Sequence, residues 1–167
     1  MIARVLLSIA ALSATLTACG VATIATSATP TTITPTTSSI PAGERQVPGI
    51  IDYFREPQHT VIIAPNTITI NTPFEIQIST FGGGCERTGS GDVHVTGLQA
   101  EVFVYDYTTR NFQTPCTQEL KRLSRTVKLQ FAEAGEARII VHGVRVGSET
   151  SSMDGVPATL EQTVTVQ

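Results

Sequence analysis

Residues 126–143 read TVKLQFAEAGEARIIVHG. From Thr126 to Phe131 apolar and polar side chains alternate, as they do in a strand with one buried face. From Ala137 the chain runs through Ile139, Ile140 and Val141 to Val146 with apolar residues on both faces, the pattern of a central strand. Between them Ala134-Gly135 marks a tight connection. Nothing here repeats at 3.6 residues, so the stretch predicts two successive strands and no helix.

The same period extends outward. Phe74–Ser79 (FEIQIS) and Thr163–Val166 alternate in the same way, and Ala100–Tyr107 (AEVFVYDY) is apolar on both faces over most of its length. Val61–Ala64, Thr67–Asn71 and Asp92–Thr96 complete the set of strands, with turns at Pro65-Asn66 and Asn71-Thr72-Pro73. The best helical windows are single turns around Ile50–Arg55 and Thr117–Arg122. Seven to eight antiparallel strands at this spacing predict an all-β sandwich. The run from Thr126 to Gly143, the later LEQTVTVQ and the earlier PNTITINTPFEIQIST resemble the last and first strands of bacterial immunoglobulin-like and fibronectin-like modules. That resemblance implies an immunoglobulin-like β-sandwich over residues 43–167, and a fold carries no activity with it.

The N-terminus has a different character. Arg4 precedes an apolar run, Val5 to Leu16, interrupted only by Ser8, Ser13 and Thr15. Twelve helical residues at about 1.5 Å each make roughly 18 Å, short of a hydrocarbon core of about 30 Å, so the run reads as the h-region of a signal peptide. It ends in Leu16-Thr17-Ala18-Cys19, which resembles the lipobox of bacterial lipoprotein precursors. The resemblance implies a diacylglyceryl group on the Cys19 sulfur and removal of residues 1–18. It also implies an extracytoplasmic protein anchored in the lipid bilayer of a cell membrane or outer membrane. Gly20, where the family carries Asp for inner-membrane retention, favours the outer membrane of a two-membrane cell.

Residues 20–42 hold eleven Ser or Thr, three Pro and no charge. With no bulky apolar face to bury, residues 19–42 read as an extended, disordered linker between anchor and domain. The remaining 125 or so residues suffice for one core. Removing Arg4 with the signal peptide leaves 10 basic against 14 acidic groups. That balance does not suit nucleic acid, whose phosphates need a basic stripe. Lys121, Arg122, Arg125 and Lys128 form the one basic cluster, read as a solvated edge guarded against aggregation, with contact to anionic polysaccharide or lipid headgroups as the alternative.

With Cys19 acylated, Cys85 and Cys116 remain, and two cysteines outside the cytoplasm are expected to pair. Such a bridge joins two loop-like stretches, Gly82–Asp92 (GGGCERTGSGD) and Tyr105–Cys116 (YDYTTRNFQTPC), at one end of the sandwich. Tyr105, Tyr107, Arg110 and Phe112 in the second stretch are residue types that anchor contacts, and form the candidate binding surface.

The chemistry of catalysis is not legible. The triple glycine at 82–84 has no Gly-Lys-Ser/Thr after it, and Gly89-Ser90-Gly91 is no nucleophile elbow. His59, His94 and His142 are scattered, the latter two reading as strand-face residues, and the acidic groups follow no calcium-loop spacing. No catalytic residue, metal ligand or cofactor other than the lipid at Cys19 is expected. The reading is an anchored, non-catalytic binding or structural module whose partner is an envelope protein or polysaccharide. The alternative is an inhibitor or accessory factor docking on a protein through the linked loops.

Overall fold

The computed structural model describes residues 40–53, 61–109, 115–117, 119–147 and 155–167. Among them are ten strands and no helix. In chain order these are β1 (Arg45–Pro48), β2 (Ile50–Tyr53), β3 (Ile62–Ile63), β4 (Thr67–Ile68) and β5 (Phe74–Gly82). β6 (Glu86–Thr96), β7 (Gln99–Thr108), β8 (Lys121–Leu129), β9 (Gly135–Val146) and β10 (Val156–Val166) follow.

The strands join in one curled sheet with two wings. In the first, β6 pairs with β7, β7 with β9, β9 with β10, and β4 meets the end of β10. In the second, β5 lies between β3 and β8. The wings face each other across a shared core, a sandwich-like arrangement. Ile76 and Ile78 of β5, Leu129 of β8, Val102 and Val104 of β7, Ile139 and Val141 of β9 and Val164 of β10 are all almost fully buried there. Phe131, two residues beyond the end of β8 and in phase with Val127 and Leu129, is completely buried and caps this core beside Phe74.

The join between the wings is made by β1 and β2. β1 pairs antiparallel with the C-terminal part of β7, whose N-terminal part on that edge pairs with β9. At Gly49 the chain leaves β7, its N–H donating to the Val104 carbonyl at 2.8 Å. Its own carbonyl accepts from the Val144 N–H at 2.9 Å, and β2 continues between β9 and β5. Backbones approach so closely here that a Cβ on Gly49 would lie 2.6 Å from the Thr80 methyl group, and one on Gly143 2.5 Å from the Gly49 oxygen. Glycine at this crossing is a steric requirement.

Several expectations are corrected. Ile50–Tyr53 is a strand and not a helical turn, because β9 and β5 offer it partners on both sides; Phe54 and Arg55 lie outside the described residues. Among the described residues of 117–122 there is no helix either: Lys121 and Arg122 already belong to β8, paired with Gly82 and Phe81. Among the described residues the strands number ten, and three pairings, β7 with β9, β2 with β9 and β4 with β10, are parallel. Cys19, the signal peptide, linker residues 19–39, His59, Arg110 and Phe112 lie outside the described residues.

Candidate functional site

Four strand ends meet at one end of the molecule. β5 finishes at Gly82 and β8 begins opposite it at Lys121; β6 begins at Glu86 opposite the last residue of β7, Thr108. Cys85 and Cys116 are bonded across this end, with Cα atoms 5.4 Å apart. The backbone closes around the bridge. Gly84 N–H donates to the Thr117 carbonyl at 3.2 Å, and Thr109 N–H to the Cys85 carbonyl at 3.2 Å. The Glu86 carboxylate accepts from Gly83 N–H at 2.7 Å and from the Thr108 hydroxyl at 3.2 Å. The disulfide therefore ties the β5–β6 turn to the segment entering β8, as two paired cysteines in these stretches require.

The glycine-rich stretch is not a loop over its whole length. Only Gly83–Cys85 turns, and Glu86–Asp92 is strand, with a bulge between Thr88 and Gly91. Gly89 lies against β7 so tightly that a Cβ there would be 2.5 Å from the Tyr105 carbonyl oxygen. The bulge turns the Ser90 carbonyl toward the core, where it accepts from Arg125 Nη1 at 3.0 Å.

Arg125 is the main departure from the sequence reading. It is buried, not on a solvated edge. Its guanidinium pairs with Asp106, which is buried in turn, and donates to the Tyr105 carbonyl and, at 2.7 Å, to the Thr80 hydroxyl. One side chain from β8 so reaches β5, β6 and β7. The planar fork of arginine makes this possible, since several N–H groups diverge from one buried charge. The sequence does hold the signal. Arg125 has the inward parity of Leu123, Val127 and Leu129; Asp106 that of Val102 and Val104; Thr80 that of Ile76 and Ile78. A run of nearby charges masked that parity. Lys128 of the same cluster is exposed and lies 3.6 Å from Glu75.

On the other face of β7, Tyr107 is buried and its hydroxyl has no hydrogen-bond partner among the described residues. The Arg87 guanidinium covers its ring at 4.7 Å and holds the Glu44 carboxylate through Nε at 2.7 and 2.9 Å and through Nη2. The hydrogen bond to Arg87 lowers the Glu44 pKa from the ordinary carboxylate value, against a smaller opposing effect of desolvation; the same bond raises that of Arg87. Tyr105, also in β7, is half-buried and lends its carbonyl to Arg125. The two tyrosines of the candidate surface are thus strand residues and not loop residues, and burial leaves Tyr107 little to offer a partner.

No family model, curated protein or solved structure matches this chain. Its chemistry is therefore read from its own groups. The histidines of the first wing lie on the outer face: His142 stacks flat on Phe103 with centroids 4.4 Å apart, and His94 meets the same ring edge-on at 5.9 Å. Phe103 stands between them. Among the described residues, no three of His, Cys, Asp and Glu converge as a metal site would require. What the disulfide-linked end offers is a rigid, cross-braced surface carrying charge.

Proposed function

We propose that this chain is an envelope lipoprotein that displays a non-catalytic binding or structural module. In this reading residues 1–18 are a signal peptide removed on export, Cys19 carries a diacylglyceryl group in the bilayer, and residues 20–42 are a spacer. Residues 43–167 are then an immunoglobulin-like β-sandwich outside the cytoplasm. The observation that carries the reading is the apolar run ending in Leu16-Thr17-Ala18-Cys19. Two or three acyl chains, at about 0.8 kcal/mol per buried methylene, suffice for stable anchoring. The Cys85–Cys116 bridge supports an oxidising compartment.

The test is Cys19→Ser in full-length protein expressed in bacteria. Wild type is expected to fractionate with membranes and to carry an acyl mass on an N-terminal Cys19 peptide. The variant is expected to lose both. Unchanged membrane association of the variant overturns the proposal.

A further inference from the structure

We propose that β10 is the docking surface for a second copy of this chain. The two β10 strands pair antiparallel about a two-fold axis at Leu160, and the first wings of both copies form one continuous sheet. Such pairing requires no lipid anchor at Cys19.

Two edges bound the first wing, and they differ. At one, β6 is bulged between Thr88 and Gly91, and Arg125 of β8 reaches across to the Ser90 carbonyl. β8 itself carries Lys121, Arg122 and Lys128, cations of the kind that discourage a further strand. At the other edge, β10 runs in unbroken register with β9, from Val156 opposite Arg145 to Val166 opposite Gly135. Among the described residues its far side is paired only at Thr165 and Val166, by β4. There Thr165 N–H donates to the Asn66 carbonyl and Gln167 N–H to the Ile68 carbonyl, so odd-numbered residues of β10 turn their backbone groups outward. Thr159, Glu161 and Thr163 therefore present unpaired N–H and carbonyl groups along an exposed, regular edge. Its one charge, Glu161, is held by Arg138, and Pro157 guards only the start of the strand. The core runs out to this same edge. Ala158 and Leu160 face inward and pack on the apolar cluster, yet both stay half-exposed, while Ile139 and Val141 in neighbouring β9 are fully buried.

The strand is its own complement. With Leu160 on the axis, Thr159 stands opposite Glu161 of the second copy, and each such pair exchanges both N–H···O bonds. Leu160 meets Leu160 of the second copy on the inner face, where the half-exposed core is closed. Thr163 meets Pro157 of the second copy, whose missing N–H falls at the end of the ladder, beside the Thr165 that β4 already holds. With the axis moved to Glu161, that carboxylate opposes its own copy, and Pro157 opposes Thr165, whose N–H is taken. With the axis at Thr159, Glu161 opposes Pro157 and the ladder shortens. A second β10 thus supplies an apolar residue against Leu160 and no acid opposite Glu161, and the two-fold closes the free edge of both copies at once.

Cysteine cross-linking tests this in the full-length chain carrying Cys19→Ser, in which Cys85 and Cys116 remain bonded to each other. Leu160→Cys places two thiols on Cα atoms about 4.5 Å apart across the axis, inside the disulfide range of about 4.4–6.8 Å. Thr163→Cys is exposed, but its two copies lie roughly 20 Å apart at about 3.4 Å per residue. Under mild oxidation Leu160→Cys is expected to give several-fold more reducible dimer than Thr163→Cys on a denaturing gel. Ala158→Cys and Gln162→Cys stand opposite each other, and are expected to cross-link when mixed and neither alone. Thr159→Pro has the parity of Pro157 and takes no bond from the β9 ladder; added to Leu160→Cys, it is expected to abolish the dimer. Equal yields from Leu160→Cys and Thr163→Cys, or no dimer from either, overturn the docking. A Leu160→Cys dimer that survives Thr159→Pro overturns strand pairing. Self-linking of Ala158→Cys, or no product from its mixture with Gln162→Cys, overturns the register, and this arm holds even where Thr159→Pro fails to fold.

Discussion

Two arginines hold β7 from its opposite faces. Arg125 meets Asp106 inside the core, and Arg87 meets Glu44 outside it, across the ring of Tyr107. The chemistry is the same, a guanidinium on a carboxylate, while the surroundings differ. In the core both partners are almost wholly withdrawn from water, so among the described residues the charges are compensated by each other, by the Thr80 hydroxyl and by two backbone carbonyls. On the surface Arg87 is half-exposed, and water replaces whatever the pair gives up. The inner pair is thus a condition for assembling the two wings, and the outer pair is an accessory to it.

The contrast is tested most strongly from the inside. Arg125→Met leaves Asp106 charged and buried without its partner, and is expected to cost about 3–5 kcal/mol, a large share of the roughly 5–15 kcal/mol that a domain has. The fall in urea midpoint measures it. Adding Asp106→Leu to Arg125→Met is expected to recover part of the loss, because the orphaned carboxylate goes too; a double variant worse than the single one would mean that Asp106 has another, stronger role. Removing the bridge between the same strand ends comes next. Cys85→Ser with Cys116→Ser opens a loop of 31 residues and is expected to cost about 3–4 kcal/mol on the chain-entropy account. A loss far below that would place the restraint in the hydrogen bonds around Cys85 and Thr109.

The smallest effect belongs to the outer pair. Glu44→Gln is expected to shift the urea midpoint only slightly at neutral pH. Because the folded pKa of Glu44 is lowered, whatever the pair contributes is present above the ordinary carboxylate value. It disappears as pH falls through the lowered folded value. Wild type and Glu44→Gln should therefore converge in acid, and a gap that widens there would contradict this assignment.

The comparison also shows what a one-dimensional reading misses. Alternation in Phe74–Ser79, Thr126–Phe131 and Thr163–Val166 marks strands because a buried face repeats every two residues, and β5, β8 and β10 lie there. The same period contains Arg125, in phase with Leu123 and Val127, yet a cationic side chain in a charged neighbourhood reads as solvated until a buried carboxylate is known to face it. Asp106 lies 19 residues upstream in another strand, and no local pattern couples the two. Ile50–Tyr53 fails for a related reason. Four residues are too few for a period to declare itself, and their pairing is supplied by β5 and β9, far along the chain. At the candidate surface, Tyr107 looks like a contact anchor by type, but Arg87 and the strand position bury it.

Local rules therefore settled the class of the domain: a period of two, turn residues at Asn71 and Gly135, and a cysteine pair that closes one end. These depend on neighbours in sequence, and neighbours in sequence are visible. The tertiary structure decided the rest: the crossing at Gly49 that joins the wings, the parallel pairings of β9, the inward turn of Arg125, and the end at which the chain enters. Each depends on contacts between residues distant in the chain, where backbone clearance and a buried charge's need for a partner select one arrangement among many that the local pattern allows.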